Sequence, residues 1–295
     1  ADGVVIHAQA SGNELYVVAG IERDVEVTVN RIDIAGGHKG NLGPLFIRVI
    51  TRRRRVAVKV LHDALASDAS FLKRFQAEAR SAAALNHPHI MAVHDWGQGE
   101  VPYLVTELLD GGSLRAMLDD GNFLDLAQAR HVGVDTARAL DYAHRRGFVH
   151  RDIKPENCLV GRDGYLKLCD LGMAKRLPCT VQLPSGGTEV VTLAFTMCGT
   201  PEFIAPEFVL STGYDKGIDW WALGCIVVEM YSGRSPFEFD GDLKKTFKQV
   251  CLIGMGRESF SPPEELQQPG LEDALDFVQQ LLTKASERLG RDCSR

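Results

Sequence analysis

His150-Arg151-Asp152-Ile153-Lys154-Pro155-Glu156-Asn157, followed thirteen residues after Asn157 by Asp170-Leu171-Gly172, decides the reading of this chain. One short loop carries an Asp, a Lys and an Asn, and a second Asp arrives just downstream. Phosphoryl transfer from ATP asks for that set. One carboxylate orients an attacking hydroxyl, while an Asn and a second carboxylate hold Mg²⁺ on the phosphates. The match is long and ordered, so the rest of the chain is searched for the other parts this chemistry needs.

Upstream, Val56-Ala57-Val58-Lys59 reads as a strand ending in a cation. Apolar residues Phe71, Phe75, Ala79, Ala82 and Ala83 recur at a spacing of three to four, predicting an amphipathic helix within 67–86. Asp68 serves as its N-cap and His87-Pro88 ends it. Glu78 sits mid-helix, 19 residues after Lys59. By itself Glu78 would be a solvated helix charge; with Lys59 at that separation it becomes an ion-pair partner. Downstream stand Gly199-Thr200-Pro201-Glu202-Phe203-Ile204-Ala205-Pro206-Glu207, then Asp219-Trp220-Trp221-Ala222-Leu223-Gly224, then Glu287-Arg288-Leu289-Gly290. Taken together and in this order, the motifs resemble the eukaryotic-type protein kinase catalytic domain of the Ser/Thr type, from about Asp33 to the C-terminus.

The resemblance implies an α+β, two-lobed protein kinase fold with a β-rich small lobe, one key helix and a mainly helical large lobe. Residues 33–295 form the catalytic domain, with the small lobe at 33–104, the hinge at 105–112 and the large lobe at 113–295. It implies that Lys59, held by Glu78, binds the α and β phosphates of ATP. Asn157 and Asp170 hold Mg²⁺, Asp152 takes the proton of the substrate hydroxyl, and Lys154 stabilises the transferred group. Thr106 guards the back of the adenine pocket, Glu107 and Leu109 offer backbone groups to the base, and Ala57, Leu45 and Leu159 belong to the same nucleotide site. Asp219 binds the backbone of the catalytic loop, and Glu207 pairs with Arg288. Lys154, two residues after Asp152, and Thr200 before Pro201 mark Ser/Thr rather than Tyr specificity.

The glycine-rich loop departs from the family pattern. Its best alignment is His38-Lys39-Gly40-Asn41-Leu42-Gly43-Pro44-Leu45, with Gly40 and Gly43 in place and His where the first glycine belongs. Glycine lets backbone N–H groups approach phosphate without a Cβ in the way, whereas Pro44 removes one donor. This feature supports the alternative, a pseudokinase scaffold with impaired nucleotide binding. Intact Lys59, Asp152, Asn157 and Asp170 argue against it, and the stretch from Gly199 to Glu207 disfavours a small-molecule kinase on the same fold.

Arg151 before the catalytic Asp implies activation by phosphorylation of the activation segment, at Thr196, with Thr180, Thr188 and Thr192 as competing positions and Arg151, Lys175 and Arg74 around the phosphate. Glu156 and Glu229 match acids that bind an Arg two residues before the target in cyclic-nucleotide-dependent kinases. Ser113 stands where those kinases use a third acid. Met197, Pro201 and Ile204 would line an apolar pocket for the residue after the target. Other stretches, such as 82–88, resemble bacterial receptor-type Ser/Thr kinases, so the subfamily stays open.

Composition agrees with one catalytic unit: 295 residues, 45% hydrophobic, net charge −6. That balance gives no support to a nucleic-acid role, and no apolar run approaches a membrane span. Seven scattered Cys without a Cys-x-x-Cys pair read as reduced thiols of a cytoplasmic protein rather than a zinc site. The partners implied are ATP and protein substrates. Arg52-Arg53-Arg54-Arg55 reads as a solvated hairpin tip, and His87, His89, His94 and His131 as non-catalytic. Residues 1–32 are an unassigned segment in which Leu15–Ala19 and the alternating Val25-Glu26-Val27-Thr28-Val29 read as strands. The chain starts at Ala1 without Met and stops soon after Arg288, which reads as an excised catalytic domain truncated at its C-terminus.

Overall fold

A computed structural model describes residues 5–11, 14–20, 25–26, 45–51, 55–60, 69–97, 102–119, 122–161, 163–177 and 199–290. Gly40, Gly43, Pro44, Asp68, Thr180, Thr188, Thr192, Thr196 and Met197 lie outside the described residues, as do the side chains of Leu45, Phe71 and Arg74. The chain divides into two compact units. One comprises Ala1–Asn86 with Met91–Asp110, the other His87–Ile90 with Gly111–Arg295.

The first unit is built on strands. β1 (Val5–Ser11) and β2 (Glu14–Gly20) pair antiparallel as a two-stranded sheet of their own. β3 (Val25–Glu26), β4 (Leu45–Thr51), β5 (Arg55–Val60), β6 (Val93–Gly97) and β7 (Tyr103–Glu107) form an antiparallel sheet in the order β3-β4-β5-β7-β6. The β-branched run of β5 suits its place between two partners, and Val56 and Val58 are buried. The alternation of residues 25–29 yields a described strand only at Val25–Glu26. Helix α1 (Ala69–Ala83) buries Phe75 and Ala79 with Leu104, and Leu72, Val93 and Trp96 pack against that cluster. Ala82 is buried, but Ala83 is exposed: one residue on, the helix has turned its small side chain to water.

The second unit is mainly helical: α2 (Leu114–Leu118), α3 (Leu126–Arg145), α4 (Pro206–Val209), α5 (Gly217–Ser232), α6 (Leu243–Gly254) and α7 (Glu272–Leu281). Short strands β8 (Phe148–Val149), β9 (Cys158–Val160), β10 (Leu166–Leu168) and β11 (Lys175–Arg176) pair as β9 with β10 and β8 with β11. α3 begins in a reciprocal cap, Asp125 accepting from the Gln128 N–H and Gln128 from the Asp125 N–H. Gly147, at φ 78°, follows its end. α5 is apolar on every side and buries Trp221, Leu223, Cys225, Ile226 and Met230 completely, as a helix at the centre of a core must. The four residues His87–Ile90 group with this unit because Ile90 bridges Leu168 and the Leu168 N–H donates to the His89 carbonyl.

Candidate active site

In the first unit, Lys59 projects from the central strand β5 and Glu78 from α1. Their charged atoms lie 2.6 Å apart, with the side chains 13% and 5% exposed. An ion pair so deeply withdrawn from water is costly to keep unless both charges have work to do. Ala57, two residues before Lys59, pairs across the sheet with Thr106. Thr106 is buried and donates its hydroxyl to the Glu107 carbonyl at 3.2 Å. The Glu107 N–H is taken by the Ala92 carbonyl, and its carboxylate accepts the Ala92 N–H, which fixes the residue at the end of β7. Half-buried Leu109 follows, and its N–H has no partner among the described residues.

In the second unit, the loop between β8 and β9 holds the acidic centre. Asp152 is buried, and three side chains converge on it. Lys154 Nζ lies 2.9 Å from Oδ2, the Asn157 amide nitrogen donates to the same oxygen at 3.1 Å, and the Thr200 hydroxyl donates to Oδ1 at 3.2 Å. Lys154 also donates to Thr200 at 3.0 Å, closing a ring of three residues, Asp152, Lys154 and Thr200, with Asn157 attached to Asp152. Asn157 donates further to the Asp152 carbonyl at 2.8 Å, tying the loop to itself. Thr200 comes from 48 residues away, held at the turn that leads into Pro201–Phe203.

The loop hangs from α5. Asp219 accepts the backbone N–H groups of His150 and Arg151, each at 2.8 Å, and His144 Nε2 sits 2.8 Å from the same carboxylate. Burial alone would raise the Asp219 carboxyl. The hydrogen bond from His144, the charges of His144 and His150 and the Arg151 N–H outweigh it and hold it below its ordinary value. Arg151 is thereby kept at φ 71°, a left-handed conformation rare without glycine. Its guanidinium donates to the Met173 carbonyl and the Tyr214 hydroxyl.

Asp170 closes β10 at φ 57° and accepts the Gly172 N–H at 3.2 Å, while the preceding Cys169 N–H donates to the Asn157 carbonyl. Asp170 is half-buried and Leu171 is buried. With its amide nitrogen spent on Asp152, Asn157 keeps its amide oxygen as an acceptor, and Asp170, which follows the Cys169 bonded to the Asn157 carbonyl, adds the hard oxygens of a carboxylate. This donor set fits Mg²⁺, which takes one or two protein carboxylates and fills its octahedron with phosphate oxygens and water. Among the described residues no group of three or more His, Cys, Asp or Glu is arranged to hold a metal by itself.

Leu159 is half-buried in β9, paired with Lys167 and bridged to Ser113. Glu207 and Arg288 meet in a buried fork, and Arg288 also donates to the Gly217 and Thr283 carbonyls. Glu156 and Glu229 are brought together, and Arg115 of α2 lies between them. Ser113 caps α2 by accepting the Ala116 N–H. The sequence pointed to neither Arg115 nor His144, because both act on residues far along the chain. Burial pushes the Cys158 thiol up to about 12 and raises that of Cys225 well above its ordinary value, which disfavours either as a nucleophile. No helix among the described residues is long and apolar enough to cross a membrane.

The family model described as Protein kinase domain matches residues 39–292. The chain is 39% identical over 218 residues to serine/threonine-protein kinase PknA of Mycobacterium tuberculosis, covering 72% of this chain and 48% of that protein. It is 34% identical over 236 residues to serine/threonine-protein kinase PknB of Mycobacterium leprae, covering 78% of this chain and 36% of that protein. The chain spans about half the length of the first of these relatives and less of the second.

Proposed function

The chain belongs to the protein kinase domain family, and on that premise we propose that it is an ATP-dependent protein serine/threonine kinase. The observation that carries the reading is Asp152 held at once by Lys154, Asn157 and Thr200. A carboxylate held by three donors is fixed in direction and keeps lone pairs for one more proton. In the reaction the Ser or Thr oxygen of a protein substrate forms a bond to the γ-phosphorus while the bond to the β-phosphate oxygen breaks. The hydroxyl proton passes to Asp152, and ADP leaves with the bonding electrons. Lys154 offsets the charge that builds on the moving phosphoryl group, and Lys59, steadied by Glu78, holds the α and β phosphates. Asn157 and Asp170 would hold Mg²⁺, which when bound neutralises charge on the phosphate oxygens. Most of the rate comes from placement and preorganised charge.

The same reading includes control by phosphorylation of the activation segment at Thr196. Arg151 supports it: the guanidinium is fixed by Met173 and Tyr214, so its remaining N–H groups are presented with little freedom left to lose. Incorporation of labelled γ-phosphate from Mg-ATP into a general protein substrate tests the activity; no incorporation by a folded chain that also fails to bind Mg-ATP would leave the scaffold alternative in its place. Thr196→Ala lowers activity only of protein first shown by mass spectrometry to carry phosphate there, and unchanged activity in that protein would rule out this control.

A further inference from the structure

Arg115 spans two acids that reach it from distant parts of the sequence. Its Nε donates to Glu156 at 2.8 Å and its Nη1 to Glu229 at 2.5 Å, across 41 and 114 residues of sequence. Glu156 lies four residues after Asp152 in the catalytic loop and is 45% exposed. Glu229 is a residue of α5 with its side chain 4% exposed, and its Oε2 has no partner among the described residues. Burial pushes the Glu229 carboxyl up; Arg115 pulls it back, and Glu156 and Glu202 push it up again. Two carboxylates and a half-buried guanidinium thus make a fork that accepts one planar cation and already contains one. The cation is delivered by α2, whose Leu114 and Leu118 are buried and whose Ser113 cap fixes its start, so Arg115 is aimed rather than free to swing.

The position gives this fork a bearing on substrates. A peptide whose hydroxyl lies at Asp152 advances at most ~3.6 Å per residue. Glu156, four residues from Asp152 along the loop, lies within the same limit, so a residue within four positions of the acceptor can reach it. We propose that Arg115 is the resident occupant of a guanidinium site formed by Glu156 and Glu229, and that it sets substrate choice by keeping that site filled. The chain as it stands is indifferent to arginine ahead of the acceptor, and loss of Arg115 opens a preference for it. This rests on the kinase reading and departs from the expectation that the two acids select an upstream Arg directly.

The test uses the full chain and synthetic peptides with a single Ser acceptor. Each carries arginine, or its neutral isostere citrulline, at one of the four preceding positions. Both phosphate incorporation and peptide affinity by fluorescence anisotropy are measured, and thermal melts confirm folding. The wild-type arginine-to-citrulline ratio stays within about twofold at every position, while in Arg115→Ala it rises about tenfold or more at one position, the size of one charge-assisted contact. Arg115→Gln, which keeps a donor but no charge, shows the same rise if Arg115→Ala folds poorly. Adding Glu229→Gln to either returns the ratio to its wild-type value. A tenfold wild-type ratio, or an unchanged ratio in both Arg115 variants, overturns the proposal. Failure of every peptide to be phosphorylated would instead defeat the kinase reading, and the affinity ratios would still decide the role of Arg115.

Discussion

At Asp152 the polar contacts are divided between two oxygens: Lys154 and Asn157 on Oδ2, Thr200 on Oδ1. An amide in its place keeps the shape but loses the proton acceptor and offers Lys154 no charge. Asp152→Asn therefore lowers turnover by roughly two to four orders of magnitude, the usual contribution of a placed base, with ATP affinity and melting temperature little changed. Steady-state assays beside nucleotide titration check this, and near-wild-type turnover would remove Asp152 from the chemistry. This part of the site was legible because Asp152, Lys154 and Asn157 are nearly consecutive, and chemistry confined to six residues leaves a local trace. His144 left none. It lies 75 residues from Asp219, the residue it serves, and in sequence it is one more polar residue near the end of an amphipathic helix. Arg115 was hidden in the same way, since nothing local distinguishes an exposed helix arginine from one that bridges two distant acids.

Among the elements, α4 and α6 show how closely backbone can be drawn together. A Cβ built on Gly254, the last residue of α6, would lie only 2.2 Å from the Cβ of Pro206 and 3.3 Å from Leu210 Cδ1. Glycine inside a helix costs about 1 kcal/mol relative to alanine, so Gly254→Ala gains on propensity alone. Overpacking a fixed contact costs about 1–3 kcal/mol, and Pro206 is buried with a ring that cannot swing aside. The clash wins: urea unfolding should show Gly254→Ala less stable by up to about 2 kcal/mol, and a stabilised variant would mean that α4 shifts freely. Helix positions themselves were readable from period and punctuation. α3 and α5 are each followed by a glycine with positive φ, Gly147 and Gly233. What periodicity does not give is which faces touch, because a small residue on a stripe, such as Ala83, carries too little apolar area to fix its own side.

Over the whole molecule, the second unit concentrates charge where water does not reach: Asp219 with His144, and Glu207 with Arg288, all 5% exposed or less. Asp219 is held below its ordinary value of 3.8. The unfolded chain therefore takes up a proton on this carboxyl more readily than the folded one. Its stabilising contribution is complete above the ordinary value and is lost as pH falls through it toward the lower folded value. Melting temperatures measured from neutral to acid pH should fall steeply in that window, and Asp219→Asn should flatten this part of the decline; an unaltered slope would show that other carboxyls govern it. The two-lobed α+β class was legible because the motifs follow one order along the chain, whereas the regrouping of His87–Ile90 was not, resting on contacts such as one bridge, one backbone hydrogen bond and the His89 ring against the Leu166 carbonyl. The suspension of the catalytic loop from Asp219 also has a consequence in time. Amides in loops usually trade their hydrogen for deuterium within seconds to minutes, through small local openings. Those of His150 and Arg151 are bonded to a carboxylate seated on the most deeply buried helix, and no small opening frees them without releasing α5. They should keep their hydrogen as long as the interior amides of Trp221 and Leu223 do, two slow clocks in a loop that secondary structure alone would mark as fast.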